Sequence, residues 1–301
     1  MSRISRPDAS GAAGRSGRHA PGARILSQPA MAFSAPSGAI SSSAMLLWPY
    51  RRVLWRAARN DVAARYAGSL LGAGWAVLTP LLLLAVYGVV YLAIFQVRVP
   101  GLAPWDYILY IFSGLVPYLA TGEALAIGVG SVVTSRTVLS STVFPIDLVP
   151  AKAVVGSLAT LSVGLTVTAV GAAVAGRLTW TAALVPILVL LHAMALLGLL
   201  WLLSLLNVVL RDLPSLLNMG LMVMLIASPI AYTPAMVPGR LRPFLLVNPF
   251  SYLVTAYQEL LVLGELPTPR HSAVVVGGSL LLFYLGGWVF ARGKRIVIDY
   301  V

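Results

Sequence analysis

Arginine and tyrosine, rather than the usual catalytic side chains, are the residues of this 301-residue chain whose spacing could do chemistry. Arg51, Arg52, Arg56, Arg59 and Arg65 fall in one acid-poor run, Tyr50 to Leu71. Each arginine held near an anionic lipid surface contributes about 1 kcal/mol of attraction, so the run can lie flat on such a surface. Tyr87, Tyr91 and Phe95 stand at i, i+4 and i+8, and Tyr107, Tyr110 and Tyr118 share a face of the next apolar stretch. Sugar rings present flat C–H faces and hydroxyls, so Tyr87, Tyr91 and Tyr118 could stack on and hydrogen-bond a glycan. The competing reading is packing and an interfacial belt, to which Trp105 and Tyr107 belong.

Catalytic and metal-binding patterns are missing from the sequence. Lys152, in PAKAV, and Lys294, in RGKR, follow no glycine-rich loop, so no phosphate-cradling P-loop is expected here. His19, His192 and His271 lack metal-ligand spacing, and Asp106, Asp147, Asp212, Glu259 and Glu265 are scattered. No catalytic residue, no metal site and no cofactor are assigned to the chain. Two ionisable residues fall inside apolar spans. Glu123 is either a site residue facing a wet cavity or a helix-packing hydrogen-bond group. His192 reads as a neutral residue satisfied between helices.

The elements that must hold these residues are membrane helices. With 59% apolar and 10% charged residues and a mean hydropathy of +0.89, the chain has too little polar surface for a soluble domain. The net charge of +12 would suggest nucleic acid in a soluble protein, but the arginines cluster beside apolar spans, which points to membrane orientation instead. There are no cysteines. Residues 1–43, rich in Ser, Gly, Pro and Arg, read as a disordered tail rather than a signal peptide. From residue 50, Leu54, Ala58, Val62 and Tyr66 form an apolar stripe and Arg52, Arg56 and Arg59 another face, the pattern of an interfacial helix over 50–71.

Six stretches are long enough to cross a bilayer: 72–95, 107–130, 148–175, 181–207, 216–236 and 272–291. Six crossings put both termini on one side. That side then carries the five arginines of the run, Arg136, Lys152, Arg211, Arg292, Lys294 and Arg295, against Arg98, Arg177, Arg240, Arg242 and Arg270 opposite. The positive-inside rule makes the termini cytoplasmic. The fold expected is all-α and integral to the membrane, with an N-terminal amphipathic helix and short re-entrant helices before the last span. These re-entrant helices are expected around Tyr252 to Leu263, a segment too short to span and too apolar for open solvent. Gly68 with Gly72, and Gly277, Gly278, Gly286 and Gly287, mark candidate helix contacts.

Five runs in order carry a family resemblance. They are RNDVAARYAGSLLGAGWAVLTPLLLLAVYGVVYLAIF at 59–95, TVFPIDLVPAK at 142–152, RDLPSLLN at 211–218, SPIAYTP at 228–234 and NPFSYLVTAYQELL at 248–261. Over residues 50–301 the chain resembles the permease subunits of ABC-2 type exporters of polysaccharides, O-antigen and teichoic acids. Ala67 and Gly68 stand where that family carries a basic or polar pair.

The resemblance implies a subunit of the bacterial cytoplasmic (inner) membrane that works as a dimer with a second copy of itself. Two separate P-loop ATPase subunits would bind the ATP and Mg²⁺, and the cargo would be a polyprenyl-diphosphate-linked glycan. It implies an interface helix at 52–66, a coupling helix from Ser135 that includes Arg136, Phe144, Pro145 and Asp147, and gate helices with Pro249, Tyr252 and Tyr257. Arg56, Arg59 and Arg65 would gather the diphosphate, whose oxygens take paired guanidinium donors, and the glycan would pass Tyr87, Tyr91 and Tyr118. Two other readings stand beside it: an ABC-2 exporter of a small hydrophobic drug, and an integral-membrane enzyme acting on lipid-linked sugars.

Overall fold

A computed structural model of the chain describes residues 47–65, 68–96, 99, 101–135 and 145–300, without the side chains of 65, 73, 76 and 295–300. The tail expected at 1–43, Arg136 and Phe144 lie outside the described residues. Every regular element among those described is helical. Helix α1 is Arg51–Arg65, α2 Trp75–Gly88, α3 Pro104–Gly128, α4 Ser131–Thr134 and α5 Leu148–Val174. Then follow α6 Val185–Val209, α7 Leu213–Ala227, α8 Arg242–Val247, α9 Pro249–Gln258 and α10 Pro269–Tyr300. A π-helical turn extends α2 over Val89–Ile94, and another extends α9 over Glu259–Leu263.

Among the described residues, five helical segments are long and apolar enough to cross a membrane: Val77–Ile94, Pro104–Thr134, Leu148–Val174, Trp180–Val209 and Pro269–Lys294. The protein is thus a multi-pass membrane protein, with five long spans where six were expected. The missing one is 216–236. Its helix, α7, has 15 residues and is about 22 Å long, against a hydrocarbon core of about 30 Å. Pro229 is the reason: it disfavours the helical conformation at Ser228, and the chain runs on as irregular backbone.

The basic run also differs from the expected continuous helix over 50–71. Alanine, arginine and leucine favour helix through Arg65, but Gly68 and Gly72 adopt positive φ, +79° and +48°, and turn the chain before α2. A Cβ at either would meet nothing within 4 Å, so this GxxxG pair is a turn and not a helix contact. Leu54 and Ala58 of the apolar stripe are buried, with α1 packed across α5.

The bundle is held by close backbone approach along one seam. A Cβ on Gly198 of α6 would overlap the Leu282 carbonyl of α10, and one on Gly286 would overlap the Gly198 carbonyl. Gly164 and Gly171 of α5 likewise admit Val116 and Leu109 of α3. Gly277 and Gly278 face open space.

Ion pairs mark the two ends of the bundle. At one, Lys152 Nζ is 2.8 Å from Asp61 Oδ2, and Lys294 Nζ donates to Asp147 Oδ1 and Oδ2 at 2.9 and 2.8 Å. At the other, Arg177 donates twice to Asp106 Oδ2, from Nε at 2.9 Å and Nη2 at 2.6 Å. The first end gathers α1, the start of α5 and the last turns of α10.

Candidate functional site

The segment after α7 folds back into the bundle. Asn248 caps α9: its Oδ1 accepts the Phe250 N–H at 2.9 Å, and Pro249 occupies the first helical position, where no N–H is needed. The Asn248 amide also donates to Ser228 Oγ at 3.0 Å, tying the start of α9 to the break after α7. Val254, Ala256, Tyr257, Gln258, Leu260, Leu261 and Val262 are all buried. This segment is therefore a wedge packed inside the protein.

Irregular backbone at membrane depth must find partners within the protein. Gln258 supplies them. Its Nε2 donates to Pro229 O and Ile230 O, each at 3.1 Å, and lies 3.4 Å from Tyr110 O. Tyr107 Oη donates to Ala231 O at 2.6 Å, and Thr181 Oγ1 to Leu260 O at 2.8 Å. Tyr107, expected in an interfacial belt, is instead a buried clamp on the broken arm, whereas Trp105 is exposed.

A buried polar chain joins the wedge to two spans. Thr121 Oγ1 donates to Pro117 O at 2.8 Å, so it must accept from His192 Nε2, also at 2.8 Å. That fixes the neutral Nε2–H tautomer and leaves Nδ1 to accept from Tyr257 Oη at 3.3 Å. Tyr252 Oη donates to Leu246 O at 3.0 Å. Its carbonyl lies 2.7 Å from His271 Nε2, and His271 Nδ1 lies 3.2 Å from Glu259 Oε2. Pro249, Tyr252 and Tyr257 are thus brought into one element, pinned at both ends.

The tyrosines divide. Tyr87 and Tyr91 stack at 5.8 Å with 22° between ring planes, Tyr91 meets Phe95 edge-on at 5.8 Å, and both tyrosines are half-buried. Tyr118 is buried, donates its hydroxyl to Leu221 O and tilts against Phe250 at 5.4 Å. The structure places it among packing contacts between α3, α7 and α9.

Arg56 and Arg59 are exposed, on the face of α1 away from α5. Arg65 lies nine residues beyond Arg56, two and a half turns, so its backbone starts from the opposite face of the helix. Beside α1 a cavity of about 840 Å³ opens between α2, α3 and α5, lined by Asp61, Trp75, Thr79, Leu119, Glu123 and Thr160 among others. Glu123 is thus a cavity wall, half-buried on α3.

Pro145 and Asp147 lead into α5. Asp147 is 2% exposed, taken by Lys294, and its carbonyl accepts the Trp201 Nε1–H at 3.1 Å. Its carboxylate anchors the segment before α5 to α10. The sequence alone does not single out Gln258, Asn248 or Trp201. The signal for the two amides was a lone Asn or Gln in an apolar segment beside prolines; for Trp201, whose partner is 54 residues away, there was none.

A family model described as ABC-2 type transporter matches residues 52–262. An O-antigen export system permease protein RfbA of Myxococcus xanthus is 26% identical over 252 residues, covering 83% of this chain and 95% of the relative. Two proteins of that name from Klebsiella pneumoniae are each 25% identical, over 226 and 238 residues. Those alignments cover 74% and 78% of this chain and 85% and 89% of the relatives.

Proposed function

We propose that this chain, which belongs to the ABC-2 type transporter family, is the permease subunit of an exporter that moves a lipid-linked polysaccharide across the membrane, driven by ATP hydrolysed on a separate subunit. The observation that carries the reading is the match to O-antigen export permeases along nearly their whole length. The chain is a transport subunit and not an enzyme.

Several finer features belong to the proposal. The broken arm of α7, re-satisfied by Gln258 and Tyr107, makes the sixth crossing. Support comes from the pairs Asp61–Lys152 and Asp147–Lys294, which join α1 and the last turns of α10 at one end of the bundle, as an even number of crossings requires. That end carries Arg51, Arg52, Arg56 and Arg59, so it is the cytoplasmic end of an inner-membrane protein. There α1 lies along the interface, with Arg56 and Arg59 offered to a polyprenyl diphosphate and Arg65 on its other face.

Two copies pair with two P-loop ATPases that bind ATP and Mg²⁺. The segment with Arg136, Phe144, Pro145 and Asp147 meets the ATPase, and the glycan passes the Tyr87–Tyr91 stack while Tyr118 backs the wall. The wedge of Pro249, Tyr252 and Tyr257 closes the outer side, and rigid-body motion of the halves opens it. O-antigen is the favoured cargo over teichoic acid, from the names of the relatives.

Deleting the gene in its own strain tests this. Lipid-linked glycan should accumulate on the cytoplasmic side and clear when the chain is restored together with its ATPase. Normal surface glycan in the deletion strain, with no intracellular lipid-linked glycan, would overturn the reading.

A further inference from the structure

Two hollows adjoin helix α1, one near each of its ends. The cavity described above is lined by two carboxylates, Asp61 and Glu123. Near the start of the helix a second hollow, a groove of about 470 Å³, lies between α1 and helices α5, α6 and α10. Its walls are Val154, Val155, Leu158, Ala193, Leu197 and Phe283 with their apolar neighbours, and among the described residues Arg51 is the only charged one lining it.

The depth of the groove fits one leaflet. Its far wall is formed by Leu158, Leu190 and Phe283. Each stands eleven residues along its own helix axis from a member of the Asp147, Trp201 and Lys294 contact group at the inner end. Eleven helical residues rise about 16 Å, and half a hydrocarbon core is about 15 Å.

Arg51 is held at the rim. Its Nη1 donates to Trp48 O at 3.0 Å and its guanidinium lies 4.4 Å from the centre of the Trp48 ring, which is itself 73% exposed. No described carboxylate pairs with Arg51. Its remaining N–H donors are available to phosphate oxygens, and Arg52 adds a second positive charge beside it. An indole with a guanidinium at the mouth and only hydrocarbon below is the arrangement that suits a phospholipid.

We propose that this groove holds one anionic phospholipid of the adjacent leaflet, with its phosphate on Arg51 and an acyl chain between α5, α6 and α10. The lipid fills the space under the start of α1 and fixes that helix to the bundle. The site is separate from the export route and rests only on the membrane placement of the chain.

The test is native mass spectrometry of the full chain, stripped of lipid and titrated with phosphatidylglycerol or with phosphatidylcholine of identical acyl chains. Wild type should retain one phosphatidylglycerol per chain, about fivefold more tightly than phosphatidylcholine. Arg51→Gln, at an exposed position, should reduce phosphatidylglycerol to the phosphatidylcholine level. Ala193→Trp, which fills the groove, should abolish retention of both. Unchanged retention in Arg51→Gln overturns the proposal, as does a photo-cross-linker at Val155 that captures the chain's own residues 1–46 instead of lipid.

Discussion

Replacing Lys294 by Met should cost the protein about 3 kcal/mol and do so through a carboxylate 147 residues away. The Asp147 side chain is 3% exposed and that of Lys294 22%. Removing the ammonium leaves an enclosed carboxylate without its counter-charge, which typically costs 3–5 kcal/mol. The partial exposure of Lys294 lets some water reach the site and argues for the lower figure. At about 2–4 °C per kcal/mol, a melt of the full chain in detergent should fall by about 6–12 °C.

The companion variant separates charge from packing. Combining Asp147→Leu with Lys294→Met removes both charges, and replacing a buried pair by apolar groups is often neutral, so the double variant should melt within a few degrees of wild type. The bond from Trp201 survives in it, because the acceptor is the Asp147 backbone carbonyl. A Lys294→Met protein that melts within about 1 °C of wild type, or a double variant no more stable than the single, would refute the reasoning.

Gln258→Leu strands the carbonyls of Pro229 and Ile230, at about 1–3 kcal/mol each, partly offset because Gln258 Oε1 is itself buried without a hydrogen bond. A net loss of about 2 kcal/mol should show in the same melts, and no loss would remove Gln258 as the clamp on the broken arm. Gly198→Ala drives a Cβ into the Leu282 backbone and should destabilise by about 2 kcal/mol or more, whereas Gly277→Ala, in open space, should change little. Because the chain has no cysteine, single cysteines at Asn60 and Gly239 report topology cleanly. An impermeant maleimide on intact cells should label Gly239→Cys and reach Asn60→Cys only after permeabilisation; labelling of Asn60→Cys on intact cells would rule out six crossings with cytoplasmic termini.

All five long spans are readable from hydropathy to within about five residues at each end, because a run of apolar residues long enough to cross has few other stable conformations. The stripe of Leu54 and Ala58 announces α1, and the isolation of His192 in an apolar span announces a neutral, satisfied ring. What hydropathy averages away is the Ser228–Pro229 break, since the arm beyond it is as apolar as a helix. Spacing alone also fails to separate a turn from a helix contact. Gly68 and Gly72 look like a packing pair and are a bend, while Gly286 finds its partner in Gly198, which no local pattern connects to it. The roles of Tyr107 and Tyr118 depend on carbonyls more than 100 residues away, Ala231 beyond that break and Leu221 within α7.

Helix α10 carries a contact at each end, His271 with Glu259 and Lys294 with Asp147. The two basic residues are 23 positions apart, about 35 Å along one uninterrupted helix. Inserting a single residue between them would swing one end by about 100° relative to the other and detach one of the two carboxylates. Substitutions on the lipid side of α10 leave both contacts untouched, but a change in its length does not. Descendants of this chain can therefore rewrite the composition of the last span far more freely than they can add or delete a residue within it.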